Sequence, residues 1–322
     1  MKSLPSLTFA TIAVVAVVYG LNVASLRGTQ ADPPQSASAK KGQTEPGQKT
    51  KSGSAKEQPS DAPGPESPEA KTTLDQARQR LLSYRSLKAK LTETVALGNR
   101  RFTVNGAYLQ GSAPDLKLRL EFQVKVGDSE GSVLEVCDGQ VLWTRHRVGA
   151  ETHITRRDVR QILQVAAKSG LAENLITVEL GFGGLPGLMA SIEKSMQLDQ
   201  KKEESFDGRR LVVLDGGWKL DMLKLWKGNR PNASLPDYVP SRVRLFLDAE
   251  SLFPYRILYL GRNSEQVLRP MVSLEFTNVE TNLAVPADAF KFVPPEGVFP
   301  EDITDQFLKQ IEQRQQTRVG GK

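Results

Sequence analysis

The sequence Leu116-Lys-Leu-Arg-Leu-Glu-Phe-Gln-Val-Lys-Val126 alternates apolar with polar side chains without a break. Successive side chains of a β-strand point to opposite faces of its sheet, so this period of two predicts a strand with one apolar and one hydrated face. At ~3.3 Å per residue the strand would be about 36 Å long, compared with the usual ~17–20 Å. A strand of that length fits a strongly curved sheet better than a compact sandwich.

Strand signals continue on both sides of this stretch. Ser86 to Val95 is a strand-like run upstream, and Asp138-Gly139 between two short apolar runs is a strong hairpin signal. Further strands are predicted at 102–109, 211–214, 243–247, 256–260 and 272–279. Short turns between consecutive strands favour an antiparallel meander of about eight or more strands.

Apolar residues at helical spacing predict helices before, within and after the sheet. A capping box at Thr73 and Gln76 predicts the start of the first helix. Two inner helices are predicted over 159–166 and 185–196, and a last helix carries Ile303, Phe307 and Ile311 on one face. The predicted fold class is therefore α+β, with one antiparallel sheet and helices packed on it.

The N-terminus carries an export or membrane-anchoring signal. Met1 and Lys2 precede an almost wholly apolar run from Leu7 to Val23. A positive start and an apolar run are typical of a signal peptide, but ~17–25 apolar residues also suffice for an uncleaved membrane helix. Both alternatives predict an exported protein of the periplasm or cell envelope, either soluble after cleavage or anchored in the cytoplasmic membrane by residues 7–24.

Composition divides the chain into four segments. Residues 1–28 are the signal peptide or uncleaved membrane anchor. Residues 29–71 contain seven prolines, balanced charges and no Val, Ile, Leu, Met, Phe, Trp or Tyr, so we expect a disordered linker. Residues 72–313 are predicted to form one folded domain, and 314–322 a flexible tail.

The composition argues against several classes of protein. There are 43 Lys and Arg against 37 Asp and Glu, a net charge of +6 with both signs interspersed, which is unlike the basic stripe of a nucleic-acid-binding protein. The single cysteine, Cys137, excludes an intrachain disulfide, and two histidines, His146 and His153, leave little material for a metal site. The sequence contains no nucleophile elbow, phosphate loop or zinc spacing, so we expect no enzyme activity, no metal and no cofactor.

The alternation places Leu118, Leu120, Phe122 and Val124 on the apolar face of the long strand. One interpretation is an ordinary core that Leu- and Met-rich helices fill. The other is a sheet too wide for its own side chains to fill, in which these four residues line a ligand-binding wall beneath a helical lid. The residues alone leave both interpretations open.

Five motifs, taken in their order along the chain, resemble the LolA-like superfamily of periplasmic lipoprotein carriers and related lipid-binding proteins. The resemblance extends from about Thr73 to Asp302. The motifs are SLKAKLTETV at 86–95, LRLEF at 118–122, VCDGQVLW at 136–143, LFPYRILYL at 252–260 and AFKFVPPEGV at 289–298.

This resemblance implies an unclosed antiparallel β-barrel whose helices form a lid over a hydrophobic cavity, which in the carriers takes lipoprotein acyl chains. It places Leu188, Met189 and Ile192 on the lid, opposite the wall. The soluble carriers usually have a basic residue that helps to hold the lid, whereas the corresponding stretch here reads Ser112-Ala113-Pro114. The expected partner is a lipid or a lipoprotein acyl chain, with no role for nucleic acid.

The long linker favours a second hypothesis. A carrier tethered through residues 7–24 could not travel far, so an uncleaved N-terminus would make the chain a membrane-anchored envelope sensor or regulatory domain. Such a domain would act through a membrane protein as its partner. The sequence leaves the choice between carrier and sensor open, together with the identity of the ligand and the oligomeric state.

Overall fold

The computed structural model describes residues 63–97, 100–111, 116–126, 129–169, 183–227, 235–236, 238–263, 265 and 267–319. Within these ranges the chain forms twelve strands and five helices. The strands are β1 (Ser86–Leu97), β2 (Arg100–Gly111), β3 (Lys117–Val126), β4 (Ser129–Cys137), β5 (Val141–Val148), β6 (Glu151–Asp158), β7 (Met196–Phe206), β8 (Arg209–Trp218), β9 (Arg242–Asp248), β10 (Pro254–Arg262), β11 (Leu268–Thr281) and β12 (Glu301–Asp302). The helices are α1 (Pro68–Ser83), α2 (Val159–Lys168), α3 (Gly184–Ser195), α4 (Leu220–Lys227) and α5 (Thr304–Val319).

All twelve strands belong to one sheet, in the order β12-β6-β5-β4-β3-β2-β1-β11-β10-β9-β8-β7. Two antiparallel meanders, β1–β6 and β7–β11, are joined at the centre, where β1 pairs with β11. The only parallel pair among the described strands is β12 with β6, over two residues. The prediction of one unclosed antiparallel sheet is confirmed, apart from that pair.

Helix α3 shows that the sheet is strongly curved. Its first turn is bonded to β2, because the Leu185 N–H donates to the Tyr108 hydroxyl, and its last residue leads directly into β7. Six strand-to-strand steps of ~4.8 Å would separate β2 from β7 by about 29 Å in a flat sheet. A 12-residue helix is only about 18 Å long. The sheet must therefore bend around α3, which lies on its concave face.

The hydrophobic core fills much of this concave face and is covered by two pairs of helices. One pair, α1 and α3, contacts β7, and the other pair, α2 and α5, contacts β5 and β6. Strands β3 and β4 therefore lie between the two helix pairs in the sheet order. Residues 289–292 lie on the opposite, convex face, where the Phe292 and Trp143 ring centroids are 5.5 Å apart.

Three predicted helix boundaries are wrong. Helix α5 begins at Thr304, so Ile303, which was predicted to lie on its apolar face, precedes it. Helix α1 begins at Pro68 instead of Thr73, because the Ser67 side chain caps it by accepting from the Ala70 N–H at 3.3 Å. Helix α3 ends at Ser195, so Met196, which was predicted to continue its apolar stripe, is the first residue of β7. The prediction of a helix over 159–166 is confirmed by α2.

The folded part of the chain is longer at both ends than predicted. Residues 63–71 were assigned to the disordered linker, but the Gly64 N–H donates to Asp199 at 2.9 Å and the Ser67 N–H to the Leu198 carbonyl at 2.8 Å. These contacts fasten the segment to β7. At the other end α5 takes in 314–319, which were predicted to be tail.

The remaining N-terminal predictions, the anchor at 7–24 and the linker at 29–62, lie outside the described residues. Within the described ranges, no helix combines the length and apolarity needed to cross a membrane.

Candidate functional site

The predicted wall lies on the concave face of β3. Leu118 and Phe122 are 2% and 1% exposed, while Leu120 and Val124 are half-buried at the border of the same apolar cluster. Phe122 lies over Gly106 of β2, where a Cβ atom would come within 2.9 Å of its ring. The alternation along the strand therefore predicted the correct face, but only every second inward side chain is fully covered.

The predicted lid residues Leu188, Met189 and Ile192 lie on the buried side of α3. All three belong to the apolar cluster that also contains Leu118 and Phe122. The structure thus brings the predicted wall and lid residues together in one cluster. Their role as lipid contacts stays a prediction.

A small hydrogen-bond network ties the lid helix to the wall. The Tyr108 hydroxyl donates to Gln110 Oε1 at 2.6 Å and accepts from the Leu185 N–H at 2.9 Å, and Gln110 Nε2 donates to the Leu81 carbonyl at 3.2 Å. One buried network on β2 therefore links α3 to α1. Residues 112–115, where the superfamily resemblance would place a basic lid residue, lie outside the described ranges.

Glu93 of β1 is the most unusual polar residue on the concave face. Its side chain is 0% exposed, and neither carboxyl oxygen has a hydrogen-bond partner in the structure. Val104 of β2 and Leu274 of β11 are its register partners. Burial among apolar groups raises the pKa of Glu93 from 4.5 to about 8, because the charged form loses its water.

Tyr259 of β10 lies close enough to Glu93 to be affected by its charge. Burial raises the pKa of the Tyr259 phenol, and the negative charge of Glu93 raises it further. Tyr259 is paired with Val272 of β11. On β11, Val272 is the inward-facing residue next to Leu274, which is the register partner of Glu93. Glu93 and Tyr259 are therefore two polar groups on an otherwise apolar stretch of the concave face.

A second carboxyl group on this face, that of Glu135 on β4, is half-buried and is compensated within the protein. Burial raises its pKa, while the charge of Arg157 and a hydrogen bond from Thr144 lower it. The Arg157 guanidinium donates to Thr144 Oγ1 at 3.2 Å and lies 5.3 Å from the centroid of the Phe307 ring. Glu135 thus has the partners that Glu93 lacks.

Sequence reasoning missed Glu93 as a candidate site residue. The available signal was its register, since Leu87, Ala89, Leu91 and Val95 are the buried apolar residues of the same strand and Glu93 falls between them. A carboxyl group in the inward register of an alternating strand is costly and therefore informative.

The cysteine and the two histidines are the described residues most suited to nucleophilic or metal chemistry. Burial raises the pKa of the Cys137 thiol to about 11, so that it is protonated at neutral pH and a poor nucleophile. His146 and His153 are cross-strand neighbours on β5 and β6, and burial lowers the pKa of His146. No group of three or more His, Cys, Asp or Glu side chains within the described ranges is placed to hold a metal ion.

Comparison with known proteins gives a consistent but distant likeness. No family model matches the chain. The chain is similar to LolA superfamily proteins. One from Nitrosomonas europaea has 12% identity and a TM-score of 0.27, with 69% of this chain and 97% of that chain covered.

Two further solved structures and one curated protein are also similar. The Mycobacterium tuberculosis lipoprotein LppX has 10% identity and a TM-score of 0.37, with 69% of this chain and 99% of that one covered. The Pseudomonas aeruginosa MucA/MucB complex has 16% identity and a TM-score of 0.34, with 70% of this chain and 61% of that one covered. The uncharacterized protein MJ0687 of Methanocaldococcus jannaschii is 24% identical over 165 residues, which are 51% of this chain. The chain spans only 36% of the length of that curated protein.

Proposed function

We propose that the chain is an exported, non-enzymatic protein that binds lipid or lipoprotein acyl chains on the concave face of its sheet. The observation that carries this proposal is the partial exposure of Leu120 and Val124. Both point inward and border the apolar core, yet both keep contact with solvent. They lie on β3, between the two pairs of helices, where an acyl chain could extend the core.

The affinity would come from burial of the acyl chain. Each methylene removed from water contributes about 0.8 kcal/mol, so about eight methylenes would contribute roughly 6 kcal/mol without any specific polar contact. The concave face supplies apolar surface, and the compensated pair of Glu135 and Arg157 leaves no unpaired charge beside Leu120. Neither a metal nor nucleic acid has a part in this proposal.

The proposal is tested by the binding of N-phenyl-1-naphthylamine, a dye that fluoresces in apolar sites. We expect the full-length wild-type chain to bind it, and Leu120→Trp to bind it at least roughly tenfold more weakly, because the larger indole would occupy the space beside β3 that the proposed ligand needs. Gln123→Trp is the matched control, since residue 123 is exposed on the convex face of the same strand. Equal binding by all three proteins would contradict the proposal.

The sensor hypothesis is supported by a separate feature of the surface. Phe299 and Val293 are 93% and 82% exposed, on the segment that follows β11. Exposed apolar side chains of this size can contact a protein partner. N-terminal sequencing of the mature protein separates the two functions, because a retained segment 1–24 would favour an anchored sensor that acts through a membrane protein, whereas its removal would favour a soluble carrier.

A further inference from the structure

Glu93 is a fully buried carboxyl group whose two oxygens have no hydrogen-bond partner in the structure. Among the described residues it takes part in no salt bridge or hydrogen bond, and its two register partners are aliphatic. Leaving a polar group unpaired in an apolar interior is expensive, and an ionised carboxylate would be far more so. The contrast with Glu135, which has Arg157 and Thr144, shows that the fold can compensate a carboxyl group on this face.

We propose that Glu93 is the polar anchor of the ligand site and that its neutral carboxyl group hydrogen-bonds the ester head of an uncharged acyl glycerol lipid. The inference rests on the proposed function, since it requires an acyl ligand on the concave face. The carboxyl O–H would donate to the ester carbonyl of the ligand, and the carboxyl C=O would accept from a glycerol hydroxyl.

The surroundings of Glu93 favour an uncharged head group. On the strands nearest to Glu93, the inward titratable side chains are Tyr259 of β10 and Tyr108 of β2, and neither is ionised at neutral pH. Glu135, Cys137, His146 and Arg157 face the same side of the sheet from β4, β5 and β6, further along the strand order. Tyr108 is already bonded to Gln110 and Leu185, so Tyr259 is the second polar group on this part of the face. Beside Glu93, the inward positions of β2 and β11 carry Val104 and Leu274, which offer no charge to an ionic ligand.

The proposal predicts a defined response to pH. The Glu93 carboxyl has a pKa of about 8, so it is mostly protonated at pH 7 and can donate a hydrogen bond. Above about pH 8 it loses the proton, and with it the donor, and the buried charge then opposes desolvation by the ligand. Binding of an uncharged ester should therefore weaken as the pH rises, while binding of a head-free apolar dye should change little.

The experiment measures the displacement of N-phenyl-1-naphthylamine from the full-length chain by 1-decanoylglycerol. Wild type is compared with Glu93→Gln, which keeps a donor and an acceptor but cannot ionise, and with Glu93→Leu, which keeps the volume without polar atoms. At pH 7 we expect Glu93→Leu to bind the glyceride roughly tenfold more weakly than wild type, as the loss of one or two hydrogen bonds implies. The affinity for the dye should be unchanged. Between about pH 7 and about pH 9 the glyceride affinity of wild type should fall, whereas that of Glu93→Gln should stay constant.

The possible outcomes are distinguishable. The inference is overturned if wild type and Glu93→Leu bind the glyceride equally well, or if wild type and Glu93→Gln have the same pH profile. In either case, binding of the dye would still support the proposed function. Tighter binding of decylamine than of the glyceride, lost in Glu93→Gln, also overturns the inference, because Glu93 would then act as a charge. If wild type binds neither dye nor glyceride, the proposed function fails and the inference with it. If Glu93→Leu does not fold, the pH profile of Glu93→Gln decides alone.

Discussion

Glu93 and Glu135 lie on the same concave face, and their differing partners decide their chemistry. Arg157 and Thr144 favour the charged form of Glu135, against the effect of burial. Burial alone acts on Glu93 and favours its neutral form. The alternation of each strand predicted which side chains point inward, but it could not predict the cross-strand neighbours, which belong to residues distant in sequence.

The raised pKa of Glu93 makes the stability of the fold depend on pH. Because the folded chain holds this proton more tightly than the unfolded chain, the stabilisation is fully present below about pH 4.5 and is lost as the pH rises through about 8. Each unit of pKa difference corresponds to about 1.4 kcal/mol. We therefore expect the Tm of wild type to fall relative to that of Glu93→Gln between about pH 5 and about pH 9. Exposed Glu203, replaced by Gln, is the control, and parallel Tm profiles for wild type and Glu93→Gln would contradict the assignment.

Cys137 provides a second prediction at the scale of one residue. Its thiol is buried on the concave side of β4 and has a pKa of about 11, so only about one thiol in a thousand is ionised at pH 8. Ellman's reagent should therefore label the native protein only as fast as the protein unfolds, and should label it at once in denaturant. Rapid labelling of the native chain would show instead that this thiol is accessible.

Among the elements, the lid helix α3 depends on its first residue. Gly184 has φ +54°, a conformation that favours glycine, and a Cβ atom there would collide with the Tyr108 hydroxyl. Gly187, three residues further along the same helix, has open space beside it. The two glycines therefore differ in what an added methyl group would meet.

We expect Gly184→Ala to lower the free energy of unfolding by roughly 1–3 kcal/mol and to disturb the network of Tyr108 and Gln110. Gly187→Ala should instead be neutral or stabilise by up to about 1 kcal/mol, because alanine is the better helix former. Urea titration gives both free energies, and amide hydrogen exchange in 185–195 reports whether α3 loosens. Equal effects of the two substitutions would contradict the role assigned to this network.

The elements that the sequence failed to predict have little apolar periodicity. Strand β7 carries charged residues at 201–204, as exposed edge strands often do, and β6 has one fully buried apolar side chain, Ile154. The start of α1 did have a signal, because Ser67 followed by Pro68 is a favourable cap and first residue. The density of prolines before it led the segment to be assigned to the linker.

At the scale of the whole molecule, the sequence predicted an antiparallel meander but not its division into two meanders that are joined at the centre. Turns between neighbouring strands are local signals in the sequence. The pairing of β1 with β11 instead brings together Leu91 and Phe276, which are separated in sequence by most of the folded chain. That central pairing makes one wide sheet from two smaller ones. The width of the sheet, combined with a lid helix shorter than the flat span, produces the concave face on which the proposed function depends.

The most direct test of this account is mass spectrometry of an organic extract from the full-length chain, purified without detergent. We predict that wild type carries about one more acyl lipid per chain than Leu120→Trp does. Gln123→Trp should carry as much lipid as wild type. Any lipid held by the apolar N-terminus would be common to all three proteins and would cancel in the comparison. An equal lipid content in wild type and Leu120→Trp, with both correctly folded, would contradict the claim that the concave face binds an acyl chain.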